Sequence, residues 1–119
     1  MKVLVGLHDE LIRKLAVRIL KTKGYEATSV TTLDDMLSEI QAQNKEGGYN
    51  AHIMDVNLGI WDGQTCEPAE RVYNLIESKI NQGKTSFMSV TGGNAIHYAQ
   101  AAGIPCIEKH DFLKYLRSL

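Results

Sequence analysis

Cysteine is scarce, with only Cys66 and Cys106 in 119 residues. They lie far apart, with no CxxC pair and no regular cysteine–histidine spacing, so neither a redox motif nor a zinc site is signalled. Two buried or idle thiols are expected. Long apolar runs are also missing: no stretch reaches the roughly 20 residues a membrane-spanning helix needs. Between Lys2 and His8 stand only five apolar or glycine residues, too few for a signal-peptide core, and a cytoplasmic location is expected. No charge of one sign dominates. The formal net charge is −1 with lysines and arginines scattered, which argues against a direct nucleic-acid partner, as the missing apolar stretch argues against membrane insertion. Internal repeats, linkers and low-complexity tracts are absent, and the length suits one domain over residues 1–119.

What is present is an alternation of short apolar runs and amphipathic segments. Val3-Leu4-Val5-Gly6-Leu7 has no polar alternation, as in a strand buried on both faces of a parallel sheet. Leu11, Ile12, Leu15, Ala16, Ile19 and Leu20 then recur at helical spacing, with Asp9 and Glu10 at the positive end and Gly24 placed to close the helix. Tyr25 to Val30 reads as a second strand, and Thr32 as the cap of a helix carrying Leu33, Met36, Leu37 and Ile40, closed by Gly47-Gly48. A third strand is expected over Tyr49 to Asp55, with His52 as a hydrogen-bonded core or edge residue, followed by a helix from about Pro68 to Gly83.

Ser86 to Val90 reads as the fourth strand, Thr91-Gly92-Gly93-Asn94 as a turn into a short alanine-rich helix ending at Gly103, and Ile104 to Glu108 as the fifth strand. A last helix starts with Asp111 as cap and presents Phe112, Tyr115, Leu116 and Leu119 on one face. Five strands alternating with five helices predict an α/β, flavodoxin-like three-layer sandwich with a parallel sheet of order 2-1-3-4-5. In that order, ligands and chemistry collect beyond the carboxyl ends of the strands. There the sequence puts His8, Asp9 and Glu10 after strand 1, Asp55 at the end of strand 3, Thr91 after strand 4 and Lys109 after strand 5.

Three motifs on this rim resemble the receiver domain of two-component response regulators, and the resemblance runs over nearly the whole chain. Asp55 with Val56-Asn57-Leu58-Gly59-Ile60-Trp61-Asp62-Gly63 is similar to the phosphoacceptor aspartate and its loop, with Gly59 where proline is usual. Val90-Thr91-Gly92 is similar to the hydroxyl residue ending strand 4, and Ile107-Glu108-Lys109 to the strand-5 lysine, with His110 replacing the usual proline. The resemblance implies a signalling module whose enzymatic activity goes no further than self-phosphorylation and self-dephosphorylation. It would take a phosphoryl group on Asp55 from a histidine kinase or phosphotransfer protein and act on an output protein the sequence does not name. Thr91 and Lys109 would assist.

The resemblance also implies Mg²⁺, held by the Asp55 carboxylate, the Asn57 backbone carbonyl and acids at the end of strand 1, because an aspartate attacking a phosphoryl group must overcome mutual negative charge. Here the sequence departs from the family. Leu7 and His8 stand at the acid-pair positions, so Asp9 and Glu10 are the only acids a shift of the loop would bring inward, and His8 becomes a candidate contact of Asp55. Cys106 stands where a switching aromatic is common, and the segment from Thr91 to Lys109 is short by about one helical turn. A second reading follows: a phosphorylation-independent pseudo-receiver working as a protein interaction domain. A third is a flavodoxin-like small-molecule binder. Trp61 is expected to pack within its loop.

Overall fold

A computed structural model describes residues 1–60 and 65–119; Trp61, Asp62 and Gly63 of the loop after Asp55, with the expected packing of Trp61, lie outside the described residues. The elements alternate as β1 (Lys2–Gly6), α1 (Glu10–Thr22), β2 (Glu26–Val30), α2 (Leu33–Gln43), β3 (Ala51–Asp55), α3 (Glu67–Asn81), β4 (Ser86–Thr91), α4 (Ala95–Ala101), β5 (Cys106–Glu108) and α5 (Phe112–Ser118). All strand pairs are parallel and the order is β2-β1-β3-β4-β5, as the sequence pattern predicts. The reversal of winding falls between β1 and β3, where Gly6 pairs with Met54, one residue before Asp55.

Alternation along the strands feeds two cores. Leu4, Met54 and Phe87 pack under α2, α3 and α4 against Met36, Ile40, Val72, Ile76, Ala95 and Ala99. Val3, Val5, Ile53 and Val90 face the other way, onto Ala16 and Leu20 of α1 and Phe112 and Leu116 of α5. Leu7 joins this second core at 1% exposure, so the residue at the first acid-pair position belongs to the interior.

Several boundaries differ from expectation, each for a local reason. Tyr25 sits outside β2 because its N–H still bonds Leu20 O at the close of α1. Pro105 has no N–H for the ladder, and β5 starts only at Cys106. Thr91 extends β4 by one residue, paired with Glu108. Asp111 does not cap α5 through its side chain: a 3₁₀ turn over Lys109–Asp111 has already put its backbone in the helical region (φ −92°, ψ −3°), away from the extended geometry of a capping residue. Thr32 does cap α2, accepting from Asp35 N–H at 3.1 Å. Among the described residues no helix is long and apolar enough to cross a membrane.

Candidate functional site

The carboxyl ends of β1, β3, β4 and β5 make one rim, and the register aligns it: Asp55 pairs with Val90, and Thr91 with Glu108, so Asp55, Thr91 and Lys109 each end or follow a neighbouring strand. The Asp55 side chain is 13% exposed. Its Oδ2 accepts from the His8 backbone N–H at 2.9 Å, and His8 Nδ1 lies 3.1 Å from the same oxygen. Burial raises the Asp55 carboxyl above its ordinary value; the His8 N–H and the charges of His8 and Lys109 pull it back, while Asp9 adds to the rise. Lys109 therefore acts on Asp55 through space, without an ion pair within 4.0 Å among the described residues.

The Thr91 hydroxyl accepts from Gly93 N–H at 3.2 Å and is nearly buried. The Lys109 stem runs past Gly92, where an added Cβ would stand 3.6 Å from Lys109 Cδ. These residues and His110 border an open hollow of about 420 Å³ on the β4–β5 side of the rim. His110 lies between two acids, with Nδ1 3.2 Å from Glu108 and Nε2 3.5 Å from Asp111, contacts its sequence neighbours made possible but did not signal.

The β1–α1 loop sets what else reaches Asp55. Asp9 is the N-cap of α1, its Oδ1 accepting from Ile12 N–H at 3.0 Å, and that bond holds its carboxyl below the ordinary value. Glu10 pairs with Lys14 one turn on at 2.8 Å, which lowers its carboxyl too. Arg13 reaches back from α1 to the carbonyl oxygens of Leu7 at 2.9 Å and His8 at 3.4 Å, fixing the loop in this register. The sequence reading missed Arg13, since nothing in its spacing announces a contact with a loop carbonyl.

Oδ2 of Asp55 already has two nitrogen neighbours in His8. The Asn57 carbonyl accepts from Ile60 N–H at 2.8 Å, and the Asn57 amide donates to Ile60 O at 2.9 Å, closing the turn on itself. Asp9 and Glu10 are engaged as above. Mg²⁺ demands near-octahedral oxygen ligation, an imidazole nitrogen is a poor substitute, and among the described residues no group of three or more His, Cys, Asp or Glu could hold a metal ion. With the His8 imidazole against Asp55 where a second carboxylate is expected, the residues present fit the cation poorly.

Gly59 explains one departure from the usual loop. It has φ +84°, a conformation closed to proline, whose ring fixes φ near −65°. Cys66 and Cys106 are free thiols, both partly buried against the larger core.

No protein-family model and no curated protein sequence matches the chain. Solved structures do. A response regulator receiver domain protein (CheY-like) from Methanospirillum hungatei superposes with a TM-score of 0.72 at 22% identity, over 98% of this chain and 90% of that one. The chemotaxis protein CheY4 of Vibrio cholerae gives 0.70 at 21%, over 98% and 96%. A response regulator receiver domain protein from Clostridium thermocellum gives 0.72 at 14%, over 98% and 91%. At these identities the likeness establishes the fold and nothing finer. The chain has the CheY-like fold of response regulator receiver domains over nearly its whole length.

Proposed function

We propose that the chain is a receiver module of a two-component phosphorelay, in which Asp55 accepts a phosphoryl group from a histidine kinase or phosphotransfer protein and the altered rim changes contacts with an output protein. One observation carries this reading: in a receiver fold, Asp55 ends β3 beside Thr91 at the end of β4 and Lys109 just past β5, with the Lys109 charge acting on the Asp55 carboxyl. A carboxylate oxygen attacks phosphorus, the O–P bond forms, and the P–N bond of the donor phosphohistidine breaks with its electron pair returning to the imidazole nitrogen. The product is an acyl phosphate on Asp55. It carries about two negative charges where the free side chain carried one, enough to bias rim loops that have two arrangements.

Incubation with a small phosphodonor such as acetyl phosphate, followed by intact mass measurement, tests the reading. A single phosphoryl adduct is expected on the wild type and none on Asp55→Asn. A second reading, the phosphorylation-independent interaction domain, draws support from Leu7 and His8 at the acid-pair positions, with His8 against Asp55. It prevails if the wild type takes no adduct under any condition that labels an ordinary receiver.

A further inference from the structure

We infer that this rim works without a divalent cation, the His8 side chain taking the cation's place against Asp55. The inference rests on the phosphoacceptor reading above for its chemistry, but its structural half stands alone. His8 presents two nitrogens to one oxygen of Asp55, the backbone N at 2.9 Å and Nδ1 at 3.1 Å. An ionised carboxylate only accepts, so as a donor in that contact Nδ1 has to carry the proton. Both nitrogens converge on Oδ2 and leave Oδ1 as the oxygen that attacks.

The same geometry holds the neighbouring acids on α1. Asp9 accepts from Ile12 N–H and Glu10 pairs with Lys14, so His8 and neither carboxylate stands in hydrogen-bond contact with Asp55 among the described residues. Arg13 on the Leu7 carbonyl holds the loop against the one-residue shift that would turn Asp9 inward. What a metal ion supplies elsewhere is neutralisation of charge as an anion approaches a carboxylate, and preorganised N–H donors and a fixed positive charge perform the same task. His8 supplies them on the β1 side, and Lys109 adds its charge from β5. The group-transfer step is the one already written: Oδ1–P forms, the donor's bond to phosphorus breaks, and the leaving group departs with the electron pair, as acetate from acetyl phosphate.

The experiment has two arms on the full chain. In the first, the His8 backbone amide, which donates to Asp55, is followed by NMR during titration with Mg²⁺ alone. No saturable shift is expected in the wild type, whereas His8→Asp, which places a carboxylate against Asp55, gains one. In the second, labelling by acetyl phosphate is timed in Mg²⁺ and in EDTA. Equal rates are expected in the wild type, slower labelling in both buffers for His8→Ala, partial recovery for His8→Asn with its amide donor, and Mg²⁺-dependent labelling for His8→Asp. A saturable Mg²⁺ shift in the wild type, or labelling lost in EDTA, overturns the inference whether or not any variant folds; so does wild-type labelling by a folded His8→Ala. If the wild type is unlabelled in both buffers, the phosphoacceptor reading and the metal-free transfer fail together, and the titration still decides whether His8 has replaced the cation.

Discussion

His52 shows how much a single side chain can carry away from the rim. It is 3% exposed, with Nδ1 3.0 Å from the Thr85 hydroxyl and 3.3 Å from the Ser86 carbonyl. Burial pulls its pKa down to about 4 against the Ser86 contact that favours the charged form, and the Lys79 charge pushes the same way as burial. Below pH about 6.5 the unfolded chain binds a proton here that the folded chain refuses until about pH 4, so stability is full above that window and falls as pH drops through it. The loss reaches about 3 kcal/mol at the acid end, from roughly 1.4 kcal/mol per unit. Urea midpoints at neutral pH and near pH 4.5 are expected to separate more for the wild type than for His52→Phe; equal separation would mean another group carries the slope. The burial of His52 was legible from its place in an apolar strand. Its partner Thr85 was not, since the pairing depends on the β3–β4 register.

At the scale of elements, the caps were readable in part and the loops least of all. Thr32 sits one residue before its periodic apolar segment and accepts from the N–H three residues on, as expected; Asp9, expected only as an acid at the positive end of its helix, accepts in the same way from Ile12. Thr32→Ala is expected to cost about 1 kcal/mol, measured as a lower denaturant midpoint, with Thr32→Asp retaining most of the stability. Asp111 stands at a similar place in its pattern yet does not cap, because a 3₁₀ turn precedes α5 and the backbone conformation was not written in the spacing. The rim divides along the same line. Strand ends placed Asp55, Thr91 and Lys109, since each apolar run gives way to polar residues there. That Asp9 caps Ile12 and acts on Asp55 only through space turns on one loop conformation, in which Arg13 holds the Leu7 carbonyl and Leu7 itself is buried. A loop held by a guanidinium that folds back from the next helix leaves no mark in the spacing.

For the molecule as a whole, the question is whether its two cores unfold together. The smaller one depends on α5, a seven-residue helix too short to hold its shape alone. It is kept in place by Phe112 and Leu116 on the sheet and α1, by Lys23 Nζ on the carbonyls of Leu116, Arg117 and Leu119, and by the Tyr25 hydroxyl on Leu119. Leu116 is fully buried, so Leu116→Ala is expected to cost about 2–5 kcal/mol through lost transfer and the cavity left behind. Because β1, β3 and β4 send alternate residues into both cores, that loss weakens the sheet that the opposite face also needs. Cys66 and Cys106 report on that opposite face, partly buried against the larger core. In urea, the helical signal and the reaction of these thiols with a chromogenic disulfide are expected to move to the same lower midpoint in Leu116→Ala, with the slope of the transition unchanged. Thiols that stay protected after the helical signal has begun to fall would mean that α1 and α5 can leave the sheet while the larger core holds.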